Sequence, residues 1–158
     1  ERVTRLAVID TSARSASAGQ RQRRQALIGQ SQVGQFNGVT ALLLPLLVHR
    51  DRLGDAALVE TLQAMAQTVG RDGFVRQQRA ILGRPDSRDL LPRIAVPTAV
   101  ICGRDDAVTP LAYSEEMAAA IPGAGLITIE QCGHVSPLER PDAVNAALGR
   151  WLAQKNAD

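Results

Sequence analysis

The feature that most constrains this chain is residues 97–102 (PTAVIC), an apolar run rich in β-branched residues that opens directly onto a polar turn, Gly103-Arg104-Asp105-Asp106. A strand that is apolar without alternation is buried on both faces, which is the pattern of a parallel sheet covered by helices. A second strand, residues 126–129 (LITI), runs into Glu130-Gln131-Cys132-Gly133-His134 after an intervening helical segment. A third, residues 3–9 (VTRLAVI), ends at Asp10-Thr11-Ser12. Strand–helix–strand units of this length pair in parallel through right-handed crossovers. The chain is therefore expected to be α/β, with three parallel strands, the first and third each showing an edge.

Between the first and second strands the period becomes helical. Residues 20–33 place Ala26, Leu27, Gln30 and Val33 near one face. Residues 35–49 are more apolar, and Pro45 is expected to bend or end that helix. Asp55 is a cap for a third helix, with Leu58, Val59, Leu62, Met65, Ala66 and Val69 as its apolar stripe and Gly70 as its stop. Asp72 starts a fourth, carrying Phe74, Val75, Gln78, Ile81 and Leu82, and Gly83-Arg84-Pro85 ends it. Met65 and Phe74 are expected in the core. Residues 86–93 form a linker with a helical turn at 89–91. Thr109-Pro110 opens a helix whose apolar side is Leu111, Met117, Ala118 and Ile121. Pro141 opens the last, with Val144, Leu148, Trp151 and Leu152 as its stripe. The tail, residues 154–158, is expected to fray.

The 158 residues suffice for one domain with a core. A formal net charge of +2 sets up no strong field toward nucleic acid or a membrane. The charge is uneven: residues 1–93 hold 14 Arg against 8 acids, and residues 94–158 hold 4 Lys and Arg against 8 acids. Those arginines are scattered and aromatics are scarce, which argues against nucleic-acid binding. The longest apolar stretch, residues 39–48, is interrupted by Pro45 and is shorter than the roughly 18 residues of a membrane span. No signal peptide is visible, and a cytoplasmic location is expected. The chain begins Glu-Arg-Val, already entering a strand, so a segment of a longer polypeptide or a processed product is expected. Cys102 and Cys132 flank the two turns; two reduced, buried thiols are expected, with a redox pair as the alternative. His49 reads as a helix-end surface residue.

Ligands of parallel α/β sheets sit at the carboxyl ends of strands, and both polar turns lie there, side by side. A carboxylate accepting from the Nδ1–H of an imidazole fixes its tautomer and stabilises the imidazolium formed when Nε2 takes a proton. His134 is the candidate base and Asp106 its carboxylate, with Asp105 the alternative. Adjacent side chains on the turn diverge, so only one of the two acids faces the imidazole. Val108 and Val135, next to the pair, are candidates to line a substrate pocket.

These residues resemble a family. Gly103-Arg104-Asp105-Asp106-Ala107-Val108-Thr109-Pro110 is similar to the G-x-x-D-x-x-x-P turn of α/β-hydrolases, and Gly133-His134-Val135-Ser136-Pro137-Leu138-Glu139-Arg140-Pro141 to their catalytic-histidine turn. Ile9-Asp10-Thr11-Ser12-Ala13 resembles the strand before the cap domain. Ala80-Ile81-Leu82-Gly83-Arg84-Pro85-Asp86-Ser87 resembles the end of the cap in the esterase-like branch. The resemblance implies core residues 1–14, a four-helix cap over residues 15–88, and the C-terminal part of the α/β-hydrolase core over residues 89–158.

The family's chain order is nucleophile, acid, histidine. No G-x-S-x-G elbow is found. Gly29-Gln30-Ser31-Gln32-Val33 has the wrong fifth residue and lies in a helical pattern. Ser12 has bulky neighbours, Ala13-Arg14-Ser15-Ala16-Ser17 comes after the strand ends, and Ser136 adjoins the histidine turn itself. The oxyanion-hole segment is missing too. The resemblance thus implies the second half of a serine hydrolase of small esters or acyl compounds. It would need no metal or organic cofactor, its partner would be the N-terminal half of the same fold, and it would be inactive alone. A C–C hydrolase, a dehalogenase and a cofactor-free haloperoxidase share this half. The other class is a non-enzymatic module using the helical insert as a binding surface, with the first-strand edge covered by a partner or by a homo-oligomer.

Overall fold

The computed structural model describes residues 2–34, 36, 38 and 43–154. Three strands, β1 (Leu6–Ile9), β2 (Thr98–Gly103) and β3 (Gly125–Ile129), form a parallel sheet in that spatial order. The register aligns Ile9 with Ile101 and Gly103 with Ile129, so the ends of β2 and β3 coincide. All six residues of β2 are buried, as a central strand covered on both faces requires.

The pleat sorts the strand side chains into two cores. Ala7, Ile9, Ala99, Ile101, Ile127 and Ile129 face one side. There they pack with Val144, Ala147, Leu148 and Trp151 of α6 (Pro141–Ala153). Val8 and Val100 face the other side, against Met117 and Ile121 at the end of α4 (Leu111–Ala120). Spacings of three and four residues put each helix's apolar residues on one stripe. Each side chain fully buried this way contributes about 1.5–3 kcal/mol. Leu152, expected in the α6 stripe, is 57% exposed because it falls on the helix's outer side.

The helical insert lies between β1 and β2. Its two ends are stapled to each other: the N–H of Ser87 donates to the carbonyl of Ala13 at 2.8 Å, and Arg84 donates to the carbonyl of Arg14 at 3.0 Å. The first helix, α1 (Ala18–Ser31), starts with a reciprocal capping box between Ser17 and Gln20. None of its residues is buried, and Val33 beyond its end is 78% exposed, so the expected apolar face of Ala26, Leu27, Gln30 and Val33 does not form a core.

A short helix, α2 (Leu44–Leu47), has Pro45 in its first turn, so this proline opens a helix instead of ending one. Of the helix expected over residues 35–49, residues 35, 37 and 39–42 lie outside the described residues, among them the first four of the apolar run 39–48. A 3₁₀ turn at Arg50–Arg52 follows. The long helix α3 (Ala56–Gly83) is capped by Asp55, which accepts from the N–H of Leu58 at 3.1 Å. The two helices expected on either side of Gly70 run as one element broken at that glycine, whose backbone is non-helical at φ 64°, ψ 178°. Leu58 and Leu62 join Val48, Leu44, Leu47, Leu53 and Val135 in a third core. The stripe fails beyond that: Met65 is 53% exposed and Val69 39%. Phe74 stacks obliquely on Phe36, ring centroids 5.6 Å apart.

The linker before β2 carries a 3₁₀ segment, Arg88–Arg93, where a helical turn was expected. A short helix, α5 (Ser136–Glu139), precedes α6. The tail residues 155–158 lie outside the described residues. Among the described residues no helix is long and apolar enough to cross a membrane.

Candidate active site

The turns after β2 and β3 are bonded to each other before any side chain is considered. The N–H of Arg104 donates to the carbonyl of Ile129, and that of Asp105 to the carbonyl of Cys132, each at 2.9 Å. This brings Asp106 against His134: Nδ1 of His134 lies 2.8 Å from Oδ2 of Asp106. Asp105 points away. It is half-exposed, and its carboxylate lies 3.7 Å from Nε2 of His49.

The Asp106 carboxylate is saturated with donors. Oδ1 accepts from the N–H groups of Val108 and Thr109, both at 2.8 Å, and Oδ2 accepts from the Thr109 hydroxyl at 2.7 Å as well as from the imidazole. Burial alone would push this carboxyl up. The bonds from His134 and from Thr109 outweigh it, and the group sits below its ordinary value. An ionised carboxylate accepts only, so Nδ1 is the protonated nitrogen and the Nε2 lone pair is available as a base. The His134 side chain is 23% exposed, against none for Asp106, so the carboxylate is sealed while the imidazole keeps one open side.

Two further carboxylates hold the histidine turn, the buried Glu139 and the half-buried Asp10. Glu139, 1% exposed, accepts from the N–H of Gly133 at 2.9 Å through one oxygen and from that of His49 at 2.8 Å through the other. Asp10, at the end of β1, accepts from Gly103 at 3.2 Å and Ser136 at 2.8 Å. It does so from a left-handed backbone, φ 47°, which Asp tolerates better than most residues. Burial raises the Asp10 carboxyl above its ordinary value, and the bonds from Ser136 and Gly103 oppose that rise without cancelling it. The N–H of His134 itself donates to the carbonyl of Leu47 at 2.8 Å, tying the turn to the helical insert.

His49 is not a surface residue: it is 8% exposed, with Nδ1 accepting from the N–H of Asp51 at 3.2 Å. Val108 lines a small cavity between insert and sheet, whereas Val135 packs into the core around Leu58 and Leu62. Cys102 and Cys132 are free and buried, and burial pushes the Cys132 thiol up to about 12. Ser136, whose Oγ is buried without a partner, makes its described contact through its backbone. Among the described residues no His, Cys, Asp and Glu side chains converge in a set of three or more that could hold a metal ion.

Thr109, Asp10 and Glu139 were not singled out as site residues from sequence. Thr109 reads as a helix opener, and a buried acid looks like a surface acid until its amide donors are known. For Glu139, the one signal is an acid directly after Pro137-Leu138, five positions after the histidine.

A carboxylate after one parallel strand here orients an imidazole after its neighbour, an arrangement that fixes the ring's tautomer and would stabilise it when protonated. The chain belongs to the alpha/beta hydrolase family, whose model matches residues 3–147. Among curated proteins it is 36% identical over 81 residues to a 2-hydroxy-6-oxononadienedioate/2-hydroxy-6-oxononatrienedioate hydrolase of a Pseudomonas species, a match covering 51% of this chain and 29% of that protein. It is 33% identical over 108 residues to a pimeloyl-[acyl-carrier protein] methyl ester esterase of Xanthomonas oryzae pv. oryzae, covering 65% and 43%. Among solved structures, a thermophilic esterase from Thermogutta terrifontis superposes with TM-score 0.86 at 29% identity, covering 96% of this chain and 56% of that one. An enol-lactonase from Burkholderia xenovorans gives 0.84 at 25%, covering 97% and 57%. The chain thus spans less than half of these curated relatives and a little over half of these structures.

Proposed function

We propose that this chain supplies the acid and the base of a serine α/β-hydrolase acting on a small ester or acyl substrate. The observation that carries the reading is the 2.8 Å contact between Nδ1 of His134 and the sealed, four-donor carboxylate of Asp106. In this reading Nε2 of His134 takes the proton of a serine hydroxyl as that oxygen attacks the acyl carbon. The imidazolium is stabilised by Asp106 and returns the proton to the leaving group. Among the described residues no hydroxyl or thiol is bonded to Nε2. The serine is therefore assigned to another segment of the fold, one that precedes the acid in chain order.

The parts follow the same reading. Residues 1–14 and 89–158 belong to the catalytic core, and residues 15–88 form a cap over the substrate. The bond between Ala13 and Ser87 supports this division, because it closes the insert at its base. The outer edge of β1, which among the described residues pairs on one side only, is the seam for the nucleophile-bearing half. A keto-acid C–C hydrolysis using the same acid and base is the second reading, favoured by the match to the Pseudomonas dienedioate hydrolase.

The test joins this chain behind the nucleophile-bearing half of the Thermogutta esterase and follows p-nitrophenyl ester hydrolysis. Turnover by the chimera, its loss in His134→Ala, and no turnover by the 158-residue chain alone are expected. Full esterase activity of the chain alone would overturn the assignment.

A further inference from the structure

The small cavity beside Val108 has an unusual wall. It holds about 30 Å³ and lies where the insert meets the sheet, lined from the core side by Ser12, Arg14, Thr109 and Tyr113 and from the insert by Arg24 and Arg84. Of the three arginines that line it, Arg14 is the one with a carboxylate partner among the described residues. It is bidentate to Glu116 at 2.8 and 3.0 Å and stacks over Tyr113 at 4.6 Å. Arg24 has a neutral acceptor, the side-chain carbonyl of Gln78 at 2.7 Å, and Arg84 donates to a backbone carbonyl. Among the described residues neither forms an ion pair. Burial, and then the like charge of Arg84 and Arg23, push Arg24 below its ordinary value, so these cations are held together at a cost.

Two unneutralised guanidiniums around one void make a site for an anion, and their planar forks suit a carboxylate better than a point charge. The size agrees: a water needs roughly 10–15 Å³ of such space, so this void takes about the two oxygens of one carboxylate. The void adjoins the Asp106 side of the pair: Thr109 lines it, and the Thr109 hydroxyl donates to Oδ2 of Asp106 at 2.7 Å.

The geometry points to Arg24 and Arg84 as the binding site for a free carboxylate on the substrate, at the end remote from the scissile bond. The inference rests on the hydrolase reading for what becomes of the bound molecule, and it makes the preferred substrate a half-ester or similar acyl compound of a dicarboxylic acid. Arg14, already neutralised by Glu116, braces the site and is not its anion receptor.

The test is a titration of the 158-residue chain, followed by amide NMR, with monomethyl adipate, dimethyl adipate and sulfate at constant ionic strength. The half-ester is expected to bind at least tenfold tighter than the diester and than sulfate. That preference is expected to fall to under threefold in Arg24→Gln and in Arg84→Gln, with circular dichroism unchanged. Equal binding of the two esters, sulfate binding as tight as the half-ester, or a preference that survives both substitutions would each overturn it. No turnover is read, so failure of the hydrolase assignment and failure of this one are seen separately.

Discussion

A Cβ placed on Gly103 would stand 2.1 Å from the carbonyl oxygen of Gly133 and 2.4 Å from that of Cys132. The acid turn and the histidine turn therefore meet backbone to backbone, with no room for a side chain. Asp106 reaches His134 because these two glycine-containing turns are in contact.

Gly103→Ala is expected to cost about 3 kcal/mol or more, since the obstacle is backbone and cannot swing away. A lowered urea midpoint with an unchanged slope is the expected measurement. A variant as stable as the parent would show that the two turns are free to separate.

Asp106 titrates below its ordinary value of 3.8 in the folded chain. A carboxyl depressed on folding stabilises the fold above its unfolded value, and that contribution is lost as pH falls through the folded value. The stability difference between the parent and Asp106→Asn is therefore expected to be full at pH 6 and to shrink below pH 4. Urea unfolding at a series of pH values reads it directly. A difference that stays constant down to pH 2 would contradict the ionised, hydrogen-bonded state.

Glu139→Gln keeps the shape of a buried side chain but trades one acceptor oxygen for a donor. One of the two amides it serves, Gly133 or His49, must lose its partner. A loss of roughly 2 kcal/mol is expected. Hydrogen exchange at the Gly133 or His49 amide should accelerate by at least tenfold, while exchange in α4 changes only as far as global stability does.

Gly70 interrupts α3 at φ 64°, ψ 178°, a backbone region close to glycine-only. A Cβ there meets nothing within 4 Å, so any effect of Gly70→Ala is conformational. A loss of about 1–3 kcal/mol is expected by thermal unfolding. A stabilised variant would mean that α3 prefers to run straight.

The strands were legible because their signal is local. Residues 97–102 could be buried on both faces only in a covered parallel sheet, and the polar turns that follow could only fall at its carboxyl end. The break at Gly70, the cap at Asp55 and the helix after Pro110 are likewise readings of one residue and its neighbours. The insert was read less well. Its periodicity placed Met65, Val69 and Val33 inside, but the described helices α1 and α3 have too little neighbouring surface to cover them.

The chain's own order of residues thus determined the element sequence, the parallel sheet and the two turns that carry Asp106 and His134, because apolar periodicity and Gly/Pro punctuation act within a few residues. Only the tertiary structure decided that Asp106 and not Asp105 meets His134, across 28 positions. It also decided that Glu139 serves His49 across 90 positions, and that Asp10 reaches Ser136 across 126. Whether an acid is buried and bonded or merely solvated depends on which amides the fold brings to it, and those amides come from elements far away in the chain.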